Sequence, residues 1–236
     1  MKHPLFSKVR AFFFVSAFTP LTIFCALGMI TSAFFDKGGP FQHRFARIWS
    51  RISLLLAGAR LEISGTEHIS AGPTIFMSNH QGNFDIIALL NAIPIPVAWM
   101  AKKELFDIPI FGHSLKHAGY IPLDRGNGRN SLRSIVEAAE TIKNGRSVII
   151  FPEGTRSPDG NLLPFKKGGF ILAAKAGVPI VPTIIEGSVA IQPPRIFSIS
   201  PGTIRIRFLP TVSTTGKNPG ELMGEVQRII ATGLGQ

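Results

Sequence analysis

The chain of 236 residues holds a single cysteine, Cys25. An internal disulfide and a thiolate metal cluster are both excluded, as expected for a reducing compartment. Charge is also scarce. Asp, Glu, Lys and Arg make up 17% of the residues, and acids are the rarer sign, 14 against 25 basic residues. The Gly-rich phosphate loops of nucleotide-binding folds do not occur. Neither an internal repeat nor a low-complexity linker is present. His113 and His117 have the four-residue spacing of metal ligands, but no third ligand stands near in the expected pattern. Residues 11–35 carry no charged side chain at all.

Hydrophobic residues are 45% of the chain, enough for a sizeable core with apolar material left over. A chain of this length fits one large domain or a domain with a small appendage. The net charge of +11 points to an anionic partner. Residues 1–60 hold eight basic residues and one acid, Asp36, a net +7, around the most hydrophobic stretch. Basic charge beside an apolar run points to a membrane surface more than to nucleic acid.

The uncharged run at 11–35 is long enough to span a bilayer, which takes about 20 residues. It exceeds the apolar region of a signal peptide, usually about 7–15 residues. Lys8 and Arg10 ahead of it favour a cytoplasmic N-terminus. Pro20 sits mid-run and is expected to kink it or to split it into a hairpin dipping into one leaflet. Cys25, inside the run, reads as packing. After a break at 36–40, Phe41, Phe45, Ile48, Ile52 and Leu55 recur at spacings of four and three, one stripe of a helix. Arg44, Arg47 and Arg51 flank the stripe, with Trp49 on its other side. Two placements fit such a helix: the membrane interface, or the domain core with the arginines in water.

From Leu61 short apolar runs alternate with helical patterns. Strands are expected near 61–64, 74–78, 97–101, 119–123, 147–151, 178–185 and 203–208. Helices are expected over 85–91, 108–117, 130–144, 166–176 and 219–232. The run at 148–151 is wholly apolar, as in a strand buried on both faces. This alternation predicts an α/β fold with a mixed, largely parallel sheet flanked by helices. The chain thus divides into a membrane-anchoring helical segment, 1–60, and a domain at 61–236 with its motifs between 74 and 187.

Residues 74–86 read TIFMSNHQGNFDI. A short strand ends just before His80, and Asp85 opens an apolar, helix-length segment five residues later. A turn carrying Gly82 lets the two meet. The carboxylate then holds one imidazole nitrogen and leaves the other free to take a proton. On the residues alone a capping role for both stands beside this reading. The run FPEGTRS at 151–157 leaves a buried strand directly, where open α/β sheets bind ligands. Gly154 allows close approach, and Glu153 and Arg156 supply an acceptor and a fork of donors. The run GYIPLDR at 119–125 ends in Arg125, suited to bidentate phosphate binding, with Asp124 as an alternative partner. Lys102 and Lys103 mark a third cationic strand exit, and Lys166 and Lys167 a fourth at a helix start.

Four of these blocks, in order, resemble the glycerolipid acyltransferase family, and within it the 1-acyl-glycerol-3-phosphate acyltransferases. Asn79, His80 and Asp85 fit the N-H-x4-D block. The run at 119–125 fits the block ending in arginine, 151–157 fits F-P-E-G-T-R-S without mismatch, and VPIVP at 178–182 fits the last. Gly169 stands where many relatives carry Ala. The resemblance implies that His80 is the general base for a lysolipid hydroxyl and Asp85 its orienting partner. It implies direct attack on an acyl thioester, of CoA or of acyl-carrier protein, with no acyl-enzyme, no cofactor and no metal. Lys102, Arg125 and Arg156 would hold the phosphate, and Glu153, Gly154 and Thr155 the glycerol side of the substrate. The partners implied are a lysophospholipid acceptor, the acyl donor and the bilayer, at the cytoplasmic face of the inner membrane. Two alternatives stay open: another acceptor for the same fold, or a non-catalytic protein that binds anionic lipid.

Overall fold

The computed structural model describes residues 4–35, 39–123, 128–193 and 196–236. Among these, seven strands form one sheet in the order β1-β7-β6-β2-β5-β3-β4. They are β1 (Ala59–Ser64), β2 (Ile75–Ser78), β3 (Val97–Lys102), β4 (Ile121–Leu123), β5 (Ser147–Ile150), β6 (Ile180–Glu186) and β7 (Gly202–Phe208). All neighbouring pairs are parallel except β6 with β7. The sheet is thus mixed and largely parallel, as the alternating pattern predicts. β2 and β5 are buried at every position, so their apolar runs show no alternation.

The helices are α1 (Pro4–Ser32), α2 (Pro40–Ala57), α3 (Phe84–Ala92), α4 (Phe111–His117), α5 (Gly128–Lys143), α6 (Lys167–Ala176), α7 (Ser188–Ile191) and α8 (Pro219–Leu234). The chain steps outward from β2 to β3 to β4, then returns to insert β5 between β2 and β3. Right-handed crossovers put α3 and α4 on one face and α5 and α6 on the other. The packing agrees: α3 lies against α2, β1 and β7, and α6 lies between α5 and α8. The reversal of winding beside β2 opens a crevice at the carboxyl ends of β2 and β5.

Pro20 does not split the first apolar run. α1 continues through it as one helix, and Leu5–Ser32 is long and apolar enough to cross a membrane. α1 packs along α2 and the domain at several points. Phe14 meets Phe84 at 5.7 Å, and Trp49 Nε1 donates to Thr22 Oγ1 at 2.9 Å. Gln42 Nε2 donates to Met29 O at 3.2 Å, and Ile199 N donates to Ser7 O at 3.1 Å. α2 turns most of its apolar stripe outward. Phe41, Ile48, Ile52 and Leu55 are exposed, whereas Gln42, His43, Ser50 and Ser53 are buried. The stripe is therefore split: Phe45 is half-buried against the core, to which Ala46, Leu54 and Ala57 belong, while the other four members face outward. Cys25 is buried.

Candidate active site

His80 stands two residues beyond the end of β2, at the centre of the sheet. Its position is prepared by Asn79, whose buried amide extends the β-ladder by one residue. Asn79 Nδ2 donates to Ile185 O and Ile185 N donates to Asn79 Oδ1, both at 2.8 Å. A side chain thus does here what a backbone pair does further down β2. Asn79 belongs to the sequence block, but nothing in the block shows that its partner lies on β6.

The imidazole meets the carboxylate that the spacing predicts. His80 Nδ1 lies 2.6 Å from Asp85 Oδ2. The same oxygen accepts from Gln81 N at 2.6 Å and Gly82 N at 2.8 Å. Asp85 is fully buried in the first turn of α3, where the helix N-terminus favours negative charge. A carboxylate gripped by two backbone donors is a fixed acceptor. His80 Nδ1–H therefore donates to it, and Nε2 is left with a lone pair. Asp85 Oδ1 is buried with no hydrogen-bond partner among the described residues. The His80 side chain keeps 12% exposure.

The segment at 151–157 clamps the same histidine. Phe151 stacks on the imidazole with centroids 4.0 Å apart and planes 16° apart. Glu153 Oε1 accepts from His80 N at 2.7 Å, and Glu153 Oε2 accepts from Leu163 N at 3.2 Å. Ser157 N donates to His80 O at 2.8 Å. Ring face, amide and carbonyl of His80 are thus all engaged by one short motif. β2 and β5 are adjacent in the sheet, so two motifs 73 residues apart form one site.

Glu153 is 2% exposed, and its carboxyl faces backbone donors. Burial pushes its pKa up to about 7. The two backbone hydrogen bonds oppose that rise, and the charge of Asp85 adds to it. Gly154 has φ +70°, open to glycine and strained for other residues. A Cβ there would lie 3.1 Å from Lys166 Nζ. The fourth cationic exit therefore reaches this same turn. Thr155 and Arg156 are exposed on it, and Lys102 is exposed at the end of β3. Asp124 and Arg125 lie outside the described residues. His113 and His117 are exposed on α4, and among the described residues no group of three His, Cys, Asp or Glu is placed to hold a metal. A cavity of about 500 Å³ opens elsewhere, lined by Pro96, Arg146 and Ser147 at the opposite end of β3 and β5, and none of the predicted site residues lines it.

Phe151 and Ser157 were inside a recognised motif but had no role that sequence alone assigned. Their contacts with His80 depend on which strands become neighbours. Ser157 also orders the loop that follows: Gly160 N donates to its Oγ, which donates to Asp159 Oδ1, both at 3.0 Å.

A histidine fixed on a buried carboxylate, with its other nitrogen turned from that contact, has the geometry by which an imidazole can take a proton from a hydroxyl. The acyltransferase family model matches residues 60–186, and the chain belongs to that family. It is 39% identical over 155 residues to a chloroplastic 1-acyl-sn-glycerol-3-phosphate acyltransferase of Brassica napus, covering 65% of this chain and 44% of that one. It is 32% identical over 188 residues to a 1-acyl-sn-glycerol-3-phosphate acyltransferase of Pseudomonas aeruginosa, covering 76% and 72%. The crystal structure of the 1-acyl-sn-glycerophosphate (LPA) acyltransferase PlsC from Thermotoga maritima matches with a TM-score of 0.85 at 25% identity, covering 97% of this chain and 95% of that one. The chain spans about half the length of the first plant relatives it matches, 44% and 54%.

Proposed function

We propose that this protein transfers a fatty acyl group from an acyl thioester to the free sn-2 hydroxyl of 1-acylglycerol 3-phosphate, making phosphatidic acid. The observation that carries this reading is the His80–Asp85 contact at 2.6 Å in the crevice beside β2, in a chain whose relatives bear that activity's name. His80 Nε2 takes the proton of the acceptor hydroxyl as its oxygen attacks the thioester carbonyl. Asp85 stabilises the imidazolium that forms. Collapse of the tetrahedral intermediate breaks the carbon–sulfur bond, and the proton passes from Nε2 to the departing sulfur. The donor is an acyl thioester of CoA or of acyl-carrier protein. Lys102, Arg125 and Arg156 hold the acceptor's phosphate. Lys166 adds a fourth cation, since its ammonium lies over Gly154.

The protein works on one leaflet. α1 is tied to the domain at Ser7 and Phe14 and to α2 at Met29, so a perpendicular α1 would drag its partners through the hydrocarbon. An orientation along the leaflet suits the exposed Phe, Ile and Leu of α1 and α2. The cations of residues 1–60 favour the cytoplasmic leaflet, whose lipids are anionic.

The test is radiolabelled acyl transfer by purified protein, with both donors against acceptors with and without a phosphate. Product with lysophosphatidic acid and none with phosphate-free acceptors is expected. Arg156→Lys should raise the acceptor KM roughly tenfold or more and leave the donor KM nearly unchanged, because charge is kept and the two-pronged geometry is lost. A rise confined to the donor KM would move Arg156 to the donor's side of the site. Binding of anionic lipid without any transfer would overturn the enzymatic reading.

A further inference from the structure

The segment after β6 crosses from the catalytic turn to the start of α1. At one end, Asn83 Nδ2 donates to Gln192 Oε1 at 2.9 Å. Asn83 lies in the turn between His80 and Asp85. At the other end, Ile199 N donates to Ser7 O in the first turns of α1, at 3.1 Å. The base of this loop is pinned. Ile191 and Ile199 are buried in the core, and Ser200 N donates to Ile191 O at 2.9 Å. Two described residues between these anchors do the reverse. Ile196 and Phe197 are 55% and 56% exposed. A pinned loop that holds two large apolar side chains in water gains nothing for the fold.

Their neighbourhood identifies the occupant. Ser7, on which the loop docks, follows Leu5 and Phe6, both strongly exposed, and precedes Lys8, exposed as well. The loop thus docks on α1 between exposed apolar residues and an exposed cation. Apolar side chains rimmed by basic charge suit an anionic lipid surface.

We propose that Ile196 and Phe197 form a second lipid-inserting tip, separate from the α1–α2 pair and linked directly to the catalytic turn. This rests on the reading of the protein as a membrane-seated acyltransferase. The tip seats the rim of the crevice in the leaflet, so that a lysolipid reaches His80 without leaving the bilayer. It contributes to turnover only when the acceptor must come from a bilayer.

A fluorescent label tests the contact directly. Phe197→Cys is labelled with an environment-sensitive fluorophore, and the buried Cys25 is spared. Vesicles of phosphatidylethanolamine and phosphatidylglycerol, with and without nitroxide-bearing acyl chains, are then added. A blue shift and nitroxide quenching are expected. Unchanged emission while the protein floats with the vesicles would overturn the proposal. In parallel, the double variant Ile196→Asp/Phe197→Asp is assayed on two acceptors. Transfer to vesicle-embedded lysophosphatidic acid should fall about tenfold or more, because two buried side chains lose their lipid contact. Transfer to a short-chain, water-soluble acceptor should be unchanged. Equal loss on both would make the loop a support for the catalytic turn, and would overturn the lipid contact. Should the wild type acylate neither acceptor, the enzymatic reading fails, and the fluorescence still decides the tip.

Discussion

Helices α2 and α3 touch each other, and Ser50 of α2 donates its hydroxyl to Ile87 O of α3. They differ in what they leave exposed. α3 encloses Phe84, Ile87, Leu89 and Leu90, as a helix over a sheet does in water. α2 encloses Ala46, Leu54 and Ala57 together with Gln42, His43, Ser50 and Ser53, and exposes Phe41, Ile48 and Leu55. Gln42 and Ser50 are satisfied through hydrogen bonds to Met29 O and Ile87 O, so burial of these polar groups is not a defect. α2 thus holds large apolar side chains in the open beside its exposed Arg44, Arg47 and Arg51, a pattern that suits a membrane interface. On the proposed reading the two helices divide the labour: α3 builds the crevice, and α2 with α1 would set it against a leaflet. Phe14 of α1 lies on Phe84, the neighbour of Asp85, so the His80–Asp85 turn sits where the two regions join.

The sharpest way to separate the regions is to break the chemistry alone. His80→Ala should lower acyl transfer by about 10²–10⁴-fold, the usual loss for a general base. Vesicle flotation should be unchanged, whereas the thermal transition should fall modestly, since the ring stacks on Phe151 and bonds the buried Asp85. Retention of a tenth of wild-type turnover would remove His80 from the role of base.

The converse breaks the seating alone. Ile48→Asp and Leu55→Asp lie on the outward stripe of α2, where exposed positions tolerate charge in the folded protein. Each should weaken flotation with anionic vesicles by roughly tenfold or more, from about 1.5–3 kcal/mol of lost apolar burial. The melting temperature in detergent should not move. A drop in that temperature would mean that the stripe packs against protein.

The parts legible in the sequence were those with short memory along the chain. β2, β3, β5 and β7 began or ended within two residues of the apolar runs that predict them. The His80–Asp85 pair was legible because five residues and one turn separate its members. Gly169, the departure from the family pattern, lies in α6, where a Cβ would sit 3.1 Å from the Cγ2 methyl of Ile150. Neither the sheet order nor the continuity of α1 through Pro20 could be read from local pattern. A prolyl kink depends on what neighbouring helices supply. The partners of Glu153 were hidden for the same reason as those of Asn79, whose contact with Ile185 spans 106 residues. Such pairs exist only after the strands have chosen their neighbours.

Asn79→Ala probes that long-range contact within the α/β domain. It leaves Ile185 N and O buried without partners, and should destabilise the fold by about 1–3 kcal/mol. Turnover at a temperature well below melting should fall less than for His80→Ala, because Asp85 still holds the ring. Denaturant midpoints with an unchanged slope would register it. No loss of stability would mean that water replaces the amide.

Glu153 gives the smallest and most informative effect. Its carboxyl titrates at about 7 in the folded protein because burial disfavours the charge, against a reference of about 4.3 for an unfolded glutamate. Between these values the folded state binds the extra proton. Its share of stability is therefore greatest at acid pH, declines as pH rises through that window, and is level above about 7. The catalytic geometry wants the opposite. The ionised carboxylate accepts from both His80 N and Leu163 N, whereas a protonated carboxyl turns one oxygen into a donor facing an N–H. Turnover should thus rise through pH 7 while this group's contribution to the melting temperature falls. Glu153→Gln removes the titration and keeps the shape. It should lower turnover at pH 8 by less than tenfold and abolish both pH trends assigned to Glu153. Vesicle flotation should not change, because the residue lies in the α/β domain. A limb near pH 7 that persists in the variant would belong to another group, and Glu153 would then be a structural brace whose charge does not matter.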